Sequence, residues 1–212
     1  MEYRTIARAA QDEFVEKRSR FIGYIKPVTS EEEAIAFIEE IRAKHWNATH
    51  NVYAYSLREG NICRYSDDGE PSGTAGQPVL SVLTKSGITD AVVVVTRYFG
   101  GVMLGAGGLV RAYSHGAAIA VTAGEPIIMR LCVMCTVDCD YAQYGRVAAI
   151  IPESGGVVDD SAFGERVELT FHMTPEQLEA MKPKLADATC GQCEVTVIGE
   201  EYYRCAMEES IE

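Results

Sequence analysis

The sequence predicts an α+β protein of two domains, residues 1–128 and 129–212. Three observations carry that expectation. The second half reads strand, helix, strand, strand, helix, strand, the ferredoxin-like order βαββαβ. The first half mixes amphipathic helices with a β-branched run and two glycine-rich polar stretches, as an N-terminal α/β unit would. The charge divides at the same place. Residues 1–128 hold 13 Lys or Arg against 15 Asp or Glu, a net −2, whereas residues 129–212 hold 6 against 16, a net −10.

In the first half, Phe21 to Ile25 reads as a strand. Ser30-Glu31-Glu32-Glu33 is a capping box that sets acids at the positive end of a helix. Ala34, Ile35, Phe37, Ile38 and Ile41 then recur at helical spacing to about Lys44. Asn51 to Leu57 and Ile62 to Tyr65 read as paired strands joined at Glu59-Gly60-Asn61. Pro78 to Lys85 fits a short helix with Pro in its first turn. Ala91 to Val95 is expected to be the core strand, covered on both faces. The pattern from Gly107 to about Thr122 is helical, with Ala112, Gly116 and Ala120 forming a small-residue face for close approach to a sheet. Gly124 and Pro126 end it.

In the second half, the strands Ile127 to Val137, Gly156 to Ser161, Arg166 to Phe171 and Glu194 to Arg204 are punctuated by helices at Tyr141 to Ile151 and Thr174 to Ala186. Thr174-Pro175-Glu176-Gln177 combines a capping box with Pro at the first helical position. No basic, aromatic stripe marks these strands, and their acidity repels phosphate backbones. A scaffold, interaction or regulatory role follows for this domain, with no nucleic-acid contact. Nucleic acid would have to meet the nearly neutral first half, where Arg4, Arg8, Lys17, Arg18 and Arg20 supply positive charge or simply a solvated face.

No run approaches the roughly 18 apolar residues of a membrane span. Met1-Glu2-Tyr3-Arg4-Thr5 lacks the basic-then-apolar shape of a signal peptide, so a cytoplasmic protein away from membranes is expected. Seven cysteines, an odd number, do not suggest a disulfide framework. Cys132-x-x-Cys135 and Cys190-x-x-Cys193 have zinc-like spacing. Cys132 and Cys135 nevertheless fall in a predicted strand, where residues three apart point to opposite faces, and 54 residues separate the two pairs. Buried or free thiols are the expectation, with zinc as the alternative.

Chemistry concentrates in two stretches. Ser66 to Gly76 packs Asp67, Asp68 and Glu70 among hydroxyls and glycines, more polar groups than a turn requires. The spacing of a calcium loop is absent, so no metal is expected. Thr96 to Gly108 runs from the end of the core strand into a helix whose glycine-rich start, Gly105, Gly107 and Gly108, offers N–H groups to an anion, with Arg97 completing the corner. Neither a P-loop nor a dinucleotide fingerprint is present. A tight turn explains the glycines equally well, with Arg97 paired to Asp67 or Asp68. His50, at the head of a strand, is the histidine set among polar neighbours. His45, His115 and His172 read as surface or structural residues. No nucleophile–base set can be assembled from spacing.

These motifs resemble those of the IMPACT/YigZ family. The resemblance rests on Ser66-Asp67-Asp68-Gly69-Glu70-Pro71-Ser72-Gly73-Thr74-Ala75-Gly76, on Val92 to Gly101 with Thr96-Arg97-Tyr98-Phe99, on Leu104-Gly105-Ala106-Gly107-Gly108-Leu109-Val110-Arg111-Ala112-Tyr113, and upstream on Ala48 to Tyr55. It spans roughly residues 18–123, the second half matching the weaker C-terminal domain of bacterial members. It implies an N-terminal fold similar to the second domain of ribosomal protein S5 and to a late domain of the translocation elongation factor. Eukaryotic members regulate translation by competing for a ribosome-associated activator of the initiation-factor-2 kinase; this chain lacks their extra partner-binding domain, so that partnership is not carried over.

Two functions follow as expectations. One is a translation-linked regulatory or binding protein, without cofactor, that contacts the ribosome, RNA or a translation factor through His50, Asp67, Asp68, Glu70, Arg97, Gly105, Gly107 and Gly108. The other is a hydrolase-type enzyme acting on a small phosphorylated or peptide-like substrate at the same surface, with Asp67, Asp68 or Glu70 as acid and base.

Overall fold

Strand β6 (Ala91–Tyr98) organises the first unit because its Val92-Val93-Val94-Val95 run supplies apolar side chains to both faces of a sheet. The computed structural model describes residues 1–205. Within it β6 lies at the centre of a five-stranded sheet, between β3 (Ser19–Pro27) and β4 (His50–Leu57). The edges are β2 (Ala10–Glu16) on β3 and β5 (Ile62–Ser66) on β4. All four pairings are antiparallel.

Alternation along the strands assigns the faces. Val92 and Val94 join Ile22, Tyr24 and Tyr55 in a cluster beneath α1 (Glu31–Lys44), through its Ala34, Phe37, Ile38 and Ile41. Val93 and Val95 join Phe21, Ile25, Val52 and Ala54 on the opposite face. There α2 (Gly76–Lys85) contributes Val79 and Leu83, and α3 (Ala106–Ala123) contributes Leu109, Ala112, Tyr113 and Ala120. The small-residue face of α3 permits near contact with β3. A Cβ on Gly23 would lie 2.1 Å from the Gly116 carbonyl oxygen, and one on Gly116 2.9 Å from Val95 Cγ1.

In the second unit, β7 (Pro126–Cys139) neighbours β9 (Val167–Met173), which neighbours β8 (Val157–Phe163), while β10 (Val195–Cys205) pairs with β7. The order β10-β7-β9-β8 is that of a ferredoxin-like βαββαβ sheet. Helices α4 (Tyr141–Glu153) and α5 (Pro175–Thr189) bury Val147, Ile151, Leu178, Met181 and Leu185 against Cys135, Val137, Leu169 and Phe171. Thr174 makes the reciprocal capping box that its sequence predicts. Ser30 accepts from Glu33 N–H, but the Glu33 carboxylate reaches back to Thr29 N–H, one residue earlier than a capping box requires.

The chain divides into two compact units, Tyr3–Ile128 and Met129–Cys205, and Met1 and Glu2 belong with the latter. Residues 206–212 of the expected second domain lie outside the described residues. Two strands escape the sequence reading: β2, and β1 (Glu2–Ile6). In β2 only Ala10 and Phe14 are partly covered, too little burial to leave a readable alternation. Helix α2 begins at Gly76, two residues before Pro78. Among the described residues no helix is long and apolar enough to cross a membrane.

Candidate functional site

Register sets the floor of the site. Phe21, Arg97 and His50 face one another across β3, β6 and β4, so their side chains emerge side by side on the face that carries α2 and α3. Arg97 is buried at 5 % exposure, its guanidinium carbon 5.5 Å from the Phe21 ring and 5.4 Å from the Phe99 ring. Its Nη1 donates to Glu70 Oε1 at 2.6 Å and its Nη2 to Ser19 Oγ at 3.4 Å. The third guanidinium nitrogen, Nε, is buried with no hydrogen-bond partner among the described residues.

Glu70 is buried as well, and its Oε1 also accepts from the Tyr113 hydroxyl at 2.7 Å. Burial, and then the neighbouring Glu70 charge, push the Tyr113 phenol above the ordinary tyrosine range, so it stays a donor. His50 donates from Nδ1 to the Asp68 carbonyl at 2.7 Å; the neutral ring therefore carries its lone pair on Nε2, which lies 3.7 Å from Glu70 Oε1. Arg97 pairs with Glu70 and not, as the turn reading has it, with Asp67 or Asp68.

The two aspartates build the loop. Asp67 accepts from the N–H groups of Gly73, Ala75 and Gly76 at 2.9, 3.1 and 2.8 Å, which places its carboxylate at the N-terminus of α2. Asp68 accepts from Asn51 N–H at 2.6 Å and from Arg42 at 3.2 Å, fastening the loop to the head of β4. Both carboxylates are committed to holding Glu70 and His50 in place.

Above this floor stands the N-terminus of α3. Gly105 caps it without a side-chain bond, and no acid occupies its first turn. Leu109 N–H returns to the Gly105 carbonyl, so the N–H groups of Ala106, Gly107 and Gly108 come before the first turn closes. A cavity of about 480 Å³ separates helix and floor. His50, Glu70 and Arg97 line its polar end, Gly105 and Ala106 the helix end, and Phe99, Met103, Leu104 and Leu109 its apolar wall. Of the residues expected from sequence, His50, Glu70, Arg97 and Gly105 meet on this cavity. Gly108 lines a neighbouring groove, Gly107 lies in the first turn of α3, and Asp67 and Asp68 stand behind the loop.

Sequence reasoning missed Ser19, gave no site role to Tyr113, Thr49 or Leu109, and held Phe99, Met103 and Leu104 only as part of the Thr96 to Gly108 stretch. Ser19 and Tyr113 reach the site from 78 and 43 positions away from their partners, and no local pattern carries such a pairing.

The description of the family model that matches residues 17–121 is the Impact N-terminal domain, and a second, a domain of unknown function (DUF1949), matches residues 137–192. The chain is 37% identical to the IMPACT family member YvyE of Bacillus subtilis (strain 168) over 194 residues, covering 91% of this chain and 89% of that protein. The chain belongs to the IMPACT family. It is also similar to the family member YigZ of Escherichia coli (strain K12), 34% identical over 187 residues, 87% of this chain and 92% of that one. A crystal structure of a hypothetical protein matches with a TM-score of 0.59 and 32% identity, covering 93% of this chain and 97% of that chain. The Impact N-terminal match contains every residue of the site, from Ser19 to Tyr113.

All seven cysteines are free thiols. Cys135 sits in the core with Cys139, whereas Cys132 is buried outside that cluster, as opposite strand faces require. Burial raises the pKa of Cys132, Cys135, Cys139 and Cys193. Among the described residues no group of three or more His, Cys, Asp or Glu side chains is placed to hold a metal ion.

Proposed function

We propose that this IMPACT-family protein is a translation-linked binding protein that contacts RNA of the ribosome through a phosphate held in the cavity between Arg97 and α3. One observation carries the reading: Arg97, whose buried Nε–H has no partner among the described residues, lines the same cavity as Gly105 and Ala106, where an 18-residue helix begins. A helix N-terminus with free donors favours an anion. Glu70 does not oppose one strongly, since its charge is met by Arg97 and its Oε1 by Tyr113. The resemblance to eukaryotic regulators of translation points the same way.

Ribosome co-sedimentation at low salt tests this, comparing the natural protein with Ala106→Glu. Ala106 is exposed in the first turn of α3, so a glutamate there suits the helix dipole while occupying the place of the phosphate. The natural protein is expected to pellet with ribosomes and to be released as salt rises, and the variant to stay in the supernatant. Failure of the natural protein to associate would count heavily against the reading.

His50 favours a second reading. Its Nδ1 bond to the Asp68 carbonyl presents Nε2 as a base beside Glu70, so the same cavity could house hydrolase-type chemistry on a small phosphorylated or peptide-like substrate. Release of inorganic phosphate from phosphorylated oligonucleotides, lost in His50→Gln, would favour it over binding alone.

A further inference from the structure

A second groove, of about 490 Å³, adjoins the first cavity and shares Leu104 with it. Lys17, Arg111 and His115 line it, all exposed, together with one carboxylate, Glu16. Lys17 and Arg18 form the two-residue turn between β2 and β3, bracketed by the Glu16–Ser19 pair, and the turn's backbone rests on Gly100. Arg111 projects from α3 with Nη1 near Gly107, 3.7 Å from where a Cβ there would stand. Lys17, Arg18 and Arg111 make no ion pair among the described residues, whereas Arg8, Arg20 and Arg42 each have an acidic partner. Unneutralised cations gathered beside a helix N-terminus are notable in a chain of net charge −12.

Backbone conformation adds an independent observation. Lys17 and Arg18 both have positive φ, 45° and 67°, the pattern of a type I′ hairpin turn. That turn prefers Asn-Gly, because glycine adopts positive φ freely and asparagine tolerates it, whereas longer side chains are strained there. Here the strain is borne by two long cations.

Resting on the phosphate-binding reading of the first cavity, we infer that the ligand is a single RNA strand whose backbone continues from that cavity, past Leu104, along the groove lined by Lys17 and Arg111, with Arg18 beside Lys17 in the adjoining turn. Phe99 at the first cavity and His115 at the second are exposed rings on which unpaired bases stack, whereas Phe14 is already stacked on Phe21. A mononucleotide or an isolated phosphate would need only the first cavity. An acidic or phosphorylated peptide would meet the same cations but has no bases to stack.

The test is fluorescence anisotropy with labelled single-stranded oligoribonucleotides, from a dinucleotide to about a dozen nucleotides, across a salt series. The variants are Lys17→Asn with Arg18→Gly, Arg111→Gln, and Ala106→Glu. The double variant installs the residues the turn prefers, so its melting temperature should hold or rise. Affinity should increase with length. The double variant should bind the longer strands more weakly by on the order of tenfold near 0.1 M salt, with the salt slope smaller by about 1.4, and Arg111→Gln should reduce it by a further ~0.7.

Equal affinity for short and long strands, indifferent to the double variant and to Arg111→Gln yet lost in Ala106→Glu, would overturn the groove and leave the cavity reading standing. Absence of binding to any strand overturns both. Equal affinity for a duplex of the same length, or for a phosphopeptide, overturns the assignment to single-stranded RNA.

Discussion

At the residue scale the site depends on a buried charge pair. Arg97 and Glu70 have side chains 6% and 4% exposed, and removing one partner strands the other without a counter-charge. Arg97→Ala and Glu70→Ala are each expected to cost about 3–5 kcal/mol in denaturant unfolding. Tyr113→Phe, which removes one donor from a carboxylate, should cost less, about 1.5–3 kcal/mol. If Arg97→Ala unfolds at the same denaturant concentration as the natural protein, the ion pair has no structural weight. Arg97 and Glu70 were legible in the sequence as charged residues inside glycine-rich stretches. Their mutual pairing was not, since Asp67 and Asp68 are equally acidic and nearer a turn; what separates them is that α2's N-terminus claims Asp67 and Asn51 claims Asp68.

At the scale of elements, α3 lies close to β3 because neither Gly23 nor Gly116 carries a side chain. Gly23→Ala must displace helix backbone, whereas Gly116→Ala presses only on a valine methyl. Overpacking of this kind costs about 1–3 kcal/mol, and thermal melts should show Gly23→Ala the more damaging. The reverse order would mean the helix adjusts freely. This packing was legible from Ala112, Gly116 and Ala120 at four-residue spacing, but not its partner, a single glycine in a strand. Strand β6 announced itself through its valines, while the polar edge strand β2 did not; with it went the hairpin that carries Lys17 and Arg18.

At the scale of the whole molecule, several groups are buried in their neutral forms, and the sign of their effect is fixed. Burial raises the thiols of Cys132, Cys135, Cys139 and Cys193, and burial with a hydrogen bond to Glu31 raises Tyr55 to about 12. The unfolded chain releases these protons first, so the stability they confer is complete below the ordinary thiol pKa and is lost as pH rises, the thiols from about 8.5 and Tyr55 between about 10 and 12. His45, buried between Tyr24 and Tyr98, is shifted down chiefly by desolvation. Its contribution is present above the ordinary histidine pKa of about 6.5 and is lost as pH falls below it. Unfolding free energy measured against pH should therefore be highest between these limits, and a stability still rising beyond pH 10 would refute the alkaline half.

The central claim places a phosphate between Arg97 and the first turn of α3. Amide and guanidinium NMR shifts during titration with single-stranded RNA report on that directly. The largest changes are expected at the N–H groups of Ala106, Gly107 and Gly108 and at Arg97 Nε–H. Changes confined to the second unit, or to the face under α1, would contradict it.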